Sequence, residues 1–260
     1  MKSLRKFWAE FRSELSTAEG ILLFLDFDGT LAPIARDPES VRLDFETKKI
    51  LSKLSASDRI RLCVISGRRI RALRSILGLK NVCYVGNHGF EIQASGVAPP
   101  TAAIAPGKIR KILRPVAQRL KAAFKSFSGV LFEDKRHTLS LHFRNVAEKD
   151  LKNFRKRFED IKSGFLGLSL IWREGKRVFE VLPNIHWNKG SAALVICDRF
   201  PDRLPVILGD DRTDEDMFRA LKKRGITVRV GRSQHSEAEY YLTSQRQVAA
   251  FLKKMLFLTQ

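Results

Sequence analysis

Apolar positions along the chain follow two different patterns. Continuous apolar runs at ILLFLDF (21–27), IRLCVIS (60–66) and NVCYVGN (81–87) are separated by helix-period segments around 44–56 and 69–77. Strands that are apolar at every position are buried on both faces, as in a parallel sheet. Their alternation with helices predicts βαβ units. GFEIQASG (89–96) reads as a short hairpin arm and VAPPTAAIAPG (97–107) as a connection. The pattern then changes. A helix is predicted over 107–126, paired strands over 130–135 and 138–144, and a helix over 147–162. A second strand pair is predicted over 166–172 and 176–182, about a turn at REGK (173–176). In its last strand Val178 and Glu180 share one face while Phe179 and Val181 share the other, the alternation of a half-buried sheet. After 183 the first pattern returns, with a helix over 189–199, a strand over 204–210, a helix from near Thr213, short strands over 226–231 and 240–244, and a closing helix.

These elements predict an α/β, doubly wound parallel-sheet (Rossmann-like) core interrupted by an α+β domain of αββαββ topology. The expected division is 1–104 for the first part of the core, 105–183 for the insertion and 184–260 for the second part. At the N-terminus, Leu4, Phe7, Trp8, Phe11 and Leu15 fall on one helical face ringed by Lys2, Arg5, Lys6 and Arg12, which predicts a helix docked on the core.

Composition narrows the functional classes. The chain has 260 residues, 44% hydrophobic and 29% charged, as expected of a globular protein. No apolar run reaches the roughly 18 residues of a membrane span. MKSLRKFWAEF lacks the apolar core of a secretory leader, so a cytoplasmic location is expected. Cys63, Cys83 and Cys197 form no C-x-x-C pair and are expected as buried thiols in a reducing compartment. The net charge of +20 favours anionic partners. Its basic clusters at 68–71, 152–157 and 222–224 lack interleaved aromatics, so no nucleic acid is expected as partner.

In an open parallel sheet, ligands bind beyond the carboxyl ends of the strands. Four polar clusters are placed there: DFDGT (26–30), SGRR (66–69), VGNHG (85–89) and GDDRTDED (209–216). Singly, each acidic group reads as a helix cap or an acidic helix start. Their concentration at two strand ends of a strongly basic chain, with Ser66 and Lys189 between, instead suggests an oxygen-ligand site suited to Mg²⁺.

The order D-F-D-G-T-L, strand-end Ser, helix-opening Lys and G-D-D-x-x-D-E resembles the four motifs of the haloacid dehalogenase superfamily. VISGR, GNHGFE, FEDKRHTLSLHFR, GKRVFEVLPNIHWNKGSA and LGDDRTDEDMF further resemble segments of trehalose-6-phosphate phosphatases, over roughly residues 21–220. The resemblance implies a haloacid dehalogenase core, a cap domain, and Mg²⁺-dependent hydrolysis of trehalose 6-phosphate to trehalose and phosphate through an aspartyl phosphate. Asp26 would be the nucleophile and Asp28 the general acid and base. Ser66 and Lys189 would bind the phosphoryl group, and Asp26, the Asp28 carbonyl and Asp210 would hold Mg²⁺. Asp214 and Asp211 would stand behind them. Gly67, Arg68, Asn87, His88, Glu133, Lys135, Arg144, Lys176 and Glu180 would contact substrate. The chain departs from the family pattern at Leu182, where Arg is common, and at Phe143, where Tyr is usual. Phosphatases of the same fold acting on sucrose phosphate or a glycosylglycerate phosphate therefore stay open, as does a non-catalytic anion- or nucleic-acid-binding module. A monomer is expected, with a trehalose-phosphate synthase as a candidate partner.

Overall fold

In the computed structural model, residues 1–35, 37, 40–94 and 106–258 are described. The chain divides into two units, one of Met1–Pro100 with Trp187–Gln260 and one of Thr101–His186.

The first unit is built on a sheet of eight strands. β1 (Lys2–Ser3), β2 (Gly20–Asp26), β3 (Ile60–Ile65), β4 (Val82–Gly86) and β5 (Glu91–Gln93) come from its first segment. The second segment follows the insertion, which holds β6 to β9, and adds β10 (Arg203–Gly209), β11 (Ile226–Val230) and β12 (Tyr240–Leu242). The spatial order is β1-β12-β11-β10-β2-β3-β4-β5, parallel except where β5 pairs antiparallel with β4. α1 (Trp8–Ser16), α2 (Phe45–Ser55) and α3 (Ile70–Leu77) belong to this unit, as do α6 (Lys189–Arg199), α7 (Glu215–Leu221) and α8 (Val248–Phe257). β2 lies between β10 and β3 and every one of its residues is buried, which accounts for its unbroken apolar run. One face packs Leu23, Leu25, Leu51 and Phe251; the other packs Phe24, Cys63, Ala193 and Phe218. All three cysteines are buried and free, and burial raises their thiols, that of Cys197 to about 12.

The N-terminal helix is shorter than its apolar pattern suggests. Lys2 and Ser3 form an edge strand instead, with Lys2 N–H bonded to Glu239 O at 2.7 Å and Leu4 N–H to Tyr241 O at 3.0 Å. An exposed edge offers unpaired backbone groups that a passing segment can satisfy. Phe11 then meets Tyr240 edge-on at 5.9 Å, the Tyr240 hydroxyl bonds Glu10 and Glu14, and Lys2 pairs with Glu10.

The second unit runs α4 (Pro106–Phe124), β6 (Leu131–Asp134), β7 (Leu139–His142), α5 (Leu151–Ser163), β8 (Leu170–Gly175) and β9 (Val178–Pro183). Its antiparallel sheet has the order β6-β7-β9-β8. Its core is aromatic: Phe179 stacks on Phe158 at 3.8 Å, and Phe143 lies 4.8 Å from Phe154 and 5.0 Å from Phe179. Register places Glu133, Ser140, Glu180 and Arg173 in one row across the four strands. The second hairpin turns at Lys176 and Arg177, not over 173–176, because Gly175 stays in the ladder opposite Val178 and Arg177 takes the left-handed conformation (φ +65°). The connection expected over 97–107 lies outside the described residues up to position 105, as do the last residues of the expected hairpin arm, 95–96.

Candidate active site

The carboxyl ends of β2, β3, β4 and β10 bring the sequence-marked clusters of the first unit together. Because β10 and β2 are adjacent, with Leu208 opposite Leu25, Asp26 and Asp210 emerge at neighbouring strand ends. One carboxylate oxygen each from Asp26, Asp210 and Asp214 lies within 4.8 Å of the others, and all three residues are buried. Lys189, the first residue of α6 and 2% exposed, donates from Nζ to Asp26 Oδ1 and Asp214 Oδ1, each at 2.8 Å. Asn188 fixes this helix start by accepting the Ser191 N–H at 3.0 Å, and the Trp187 indole donates to Gly89 O at 2.8 Å.

Three acids around one ammonium make the site electrostatically unbalanced. Burial, reinforced by Asp214, holds the Asp26 carboxyl well above the usual carboxylate range although Lys189 opposes it. Burial pushes Asp214 up to about 7, again against Lys189. Burial also works against the Lys189 ammonium, but Asp214, Asp26 and Asp211 outweigh it and keep its pKa well above the ordinary lysine value. With all three acids ionised, the carboxylates would exceed the one ammonium by two negative charges, which a divalent cation would balance. The donor set is all oxygen, as a hard ion requires, so the residues present fit such an ion.

Two glycines permit this crowding. Gly29 sits at φ +94°, and a Cβ there would stand 2.3 Å from Asp210 Oδ2. A Cβ on Gly67 would stand 2.6 Å from the His88 ring. The acidic loop is held from several sides. Asp214 Oδ2 accepts the N–H groups of Asp210 (2.8 Å) and Asp211 (3.0 Å). Asp211 Oδ1 accepts the Thr213 N–H and hydroxyl, both at 2.7 Å, and so shapes the turn that presents Asp214.

Ser66 is buried at the end of β3, its N–H bonded to Val85 O at 2.9 Å and its Oγ accepting the Arg68 N–H at 3.1 Å. Asn87 and His88 are buried and both left-handed (φ +52° and +59°), bonded through their N–H groups to Arg68 O (2.6 Å) and Ser66 O (3.1 Å). Such conformations persist only where the surroundings over-determine them. The side chain of Asp28 is not part of the acidic cluster; Arg68 holds it through Nε to Oδ2 at 2.6 Å and Nη2 to Oδ1 at 2.7 Å.

Within the second unit, Glu133 and Glu180 share one sheet row, and buried Lys135 lies 3.6 Å from Glu133. Arg144 bonds Lys176 O at 2.7 Å. Leu182 is buried two residues along the same strand face as Glu180. Phe143 is fully buried in the aromatic core.

Arg229 on β11 supports the site without a motif to announce it. Its guanidinium bonds Asp210 O at 2.7 Å and Glu215 at 2.6 Å, while Glu215 also accepts the Glu237 N–H. Its signal was an arginine inside the apolar strand ITVRV, where a charge must find partners.

The trehalose-phosphatase family model matches residues 24–246. Probable trehalose-phosphate phosphatase 4 of Oryza sativa subsp. japonica is 30% identical over 93% of this chain and 67% of its own length. Trehalose 6-phosphate phosphatase RA3 of Zea mays is 29% identical over 95% and 73%. Among solved structures, the C-terminal domain of trehalose-6-phosphate phosphatase from C. albicans matches with a TM-score of 0.81 at 24% identity, over 98% of both chains. A haloacid dehalogenase-like hydrolase from Bacteroides thetaiotaomicron shares the fold with a TM-score of 0.60 at 14% identity, over 91% of this chain and 99% of its own.

Proposed function

Because the chain belongs to the trehalose-phosphatase family, we propose that it hydrolyses trehalose 6-phosphate to trehalose and inorganic phosphate. The observation that carries this reading is the buried Lys189, bonded at 2.8 Å to both Asp26 and Asp214 at the carboxyl end of a parallel sheet.

Asp26 attacks phosphorus with a carboxylate oxygen, the bond from phosphorus to the sugar oxygen breaks, and Asp28 gives its proton to that oxygen. Water then attacks the aspartyl phosphate while Asp28 takes a proton from it; phosphate leaves and the Asp26 carboxylate is restored. Splitting one displacement into two is the gain of covalent catalysis, and a positioned acid and base contributes ~10²–10⁴-fold. Lys189 neutralises charge on Asp26 and on the phosphoryl oxygens, and Ser66 donates to one of them. Asp26, Asp210 and the backbone carbonyl of Asp28 would hold Mg²⁺, with Asp214 behind them. When bound, the ion supplies charge compensation for the phosphoryl oxygens. In the first unit Gly67, Asn87 and His88 contact the substrate; in the second unit, taken by itself, Glu133, Lys135, Arg144, Lys176 and Glu180 are the candidates for sugar recognition.

Leu182 favours a second reading on substrate alone. An apolar side chain stands where the family commonly has an arginine, which fits a related sugar phosphate, sucrose phosphate or a glycosylglycerate phosphate. Phosphate release from trehalose 6-phosphate, sucrose phosphate, a glycosylglycerate phosphate and other sugar phosphates, with Mg²⁺ and with chelator, tests both readings. Preference for trehalose 6-phosphate is expected. Higher kcat/KM on another sugar would overturn the substrate assignment, and full turnover by Asp26→Asn would overturn the mechanism.

A further inference from the structure

The side chain of Asp28 is one-third exposed and lies just beyond β2, in a turn closed by the Gly29 N–H to Ala32 O (2.7 Å) and the Ala32 N–H to Phe27 O (2.8 Å). That turn fixes the backbone but leaves the carboxylate free to rotate. Arg68 removes this freedom. Its guanidinium takes both oxygens in parallel bonds of 2.6 and 2.7 Å and lies 5.3 Å over the ring of buried Phe27. Arg68 itself is anchored: its N–H goes to Ser66 Oγ, and its carbonyl receives the Asn87 N–H at 2.6 Å. The acid at the end of β2 is thus tied to the ends of β3 and β4.

We propose that Arg68 is a positioning residue for proton transfer, holding the Asp28 carboxylate in one orientation through both half-reactions. This rests on the role given to Asp28 above. A group that delivers a proton to the departing sugar oxygen and then collects one from water must stay within hydrogen-bond reach of the same point twice. A planar guanidinium fixes both oxygens at once, which a lysine ammonium cannot do. Each oxygen keeps a second lone pair for the proton being moved. The first half-reaction breaks the phosphorus–oxygen bond as the proton passes from Asp28 to the sugar oxygen, and the second returns a proton from water to Asp28. Arg68 exchanges no proton in either.

The test compares two leaving groups. A sugar alkoxide needs the proton; the nitrophenolate of p-nitrophenyl phosphate leaves without it. With Mg²⁺ present, Arg68→Met is expected to lower kcat on trehalose 6-phosphate by roughly 10–100-fold, within the range of a lost acid–base contribution. KM should stay near that of the native enzyme; with p-nitrophenyl phosphate the pre-steady-state release of nitrophenolate, which reports the first half-reaction alone, should fall far less, while hydrolysis of the aspartyl phosphate slows on both substrates. Arg68→Lys should restore little. In a double-mutant cycle on trehalose 6-phosphate, Arg68→Met should add nothing to Asp28→Asn, because both remove one unit. Equal losses on both substrates in the first half-reaction, with raised KM, would overturn the proposal in favour of phosphoryl binding by Arg68, and additive losses in the cycle would overturn it as well. If Arg68→Met lowers Tm, Arg68→Lys carries the comparison: native-like turnover by that variant overturns the proposal. The two readings fail separately. If Asp28→Asn shows no leaving-group dependence, the role assigned to Asp28 falls. If it does and Arg68→Met does not, only the positioning role falls.

Discussion

Lys189→Met separates the charge balance of the site from its shape. Lys189 is nearly inaccessible and makes two charge-assisted bonds of 2.8 Å. Methionine fills a similar volume without charge and leaves Asp26 and Asp214 buried and uncompensated. Breaking a buried ion pair by removing one partner costs about 3–5 kcal/mol. In a chain of this size that lowers Tm by roughly 6–20 °C, at a few degrees per kcal/mol.

The pH dependence fixes the sign. Burial pushes Asp214 up to about 7 in the folded protein from an ordinary value of 3.8, and Asp26 is raised in the same direction. The folded state therefore binds more protons between those values, and stability rises as pH falls through that window. Without Lys189 the carboxyls hold protons still more firmly. The stability deficit of Lys189→Met should be largest near pH 8 and shrink towards about pH 6, where the acids become neutral. Scanning calorimetry in chelator at both pH values measures it; added Mg²⁺ should recover part of the loss near pH 8. An unchanged Tm near pH 8, or a deficit that deepens on acidification, would refute the electrostatic reasoning. Turnover should fall by at least ~10²–10³-fold, the usual consequence of losing a charge stabiliser.

Asp26→Asn should abolish phosphate release, to below roughly 10⁻⁴ of the native rate, with no loss of circular dichroism. Gly29→Ala combines a left-handed φ with a Cβ 2.3 Å from Asp210 Oδ2; it should destabilise by about 1–2 kcal/mol and weaken Mg²⁺ activation, read by titrating the ion against rate. Arg229→Met frees the Asp210 carbonyl and the Glu215 carboxylate; it should weaken Mg²⁺ activation by roughly 10–100-fold while kcat at saturating ion largely recovers. Phe143→Tyr buries a hydroxyl in the aromatic core and should cost about 1–3 kcal/mol, measured by denaturant unfolding, without changing substrate preference.

The chain's own pattern determined the alternating core, the change to a second unit and the strand-end positions of Asp26, Ser66 and Asp210, because apolar periodicity and strand ends are local properties. The resemblance to a known family then marked Lys189 and the roles of the acids. Partners distant in sequence were beyond that reach. The edge strand Lys2–Ser3 depends on a vacant edge at β12. Arg229 reads as one charge in an apolar strand until the fold brings the Asp210 carbonyl to it. The hairpin turn moved to Lys176–Arg177 because ladder register, not the local preference of Gly175, set the pairing. Only the tertiary structure decided that the two acids of DFDGT separate, Asp26 to a buried lysine and Asp28 to Arg68. They are two residues apart in sequence, but the turn after β2 and the neighbouring strand ends give each a different counter-ion.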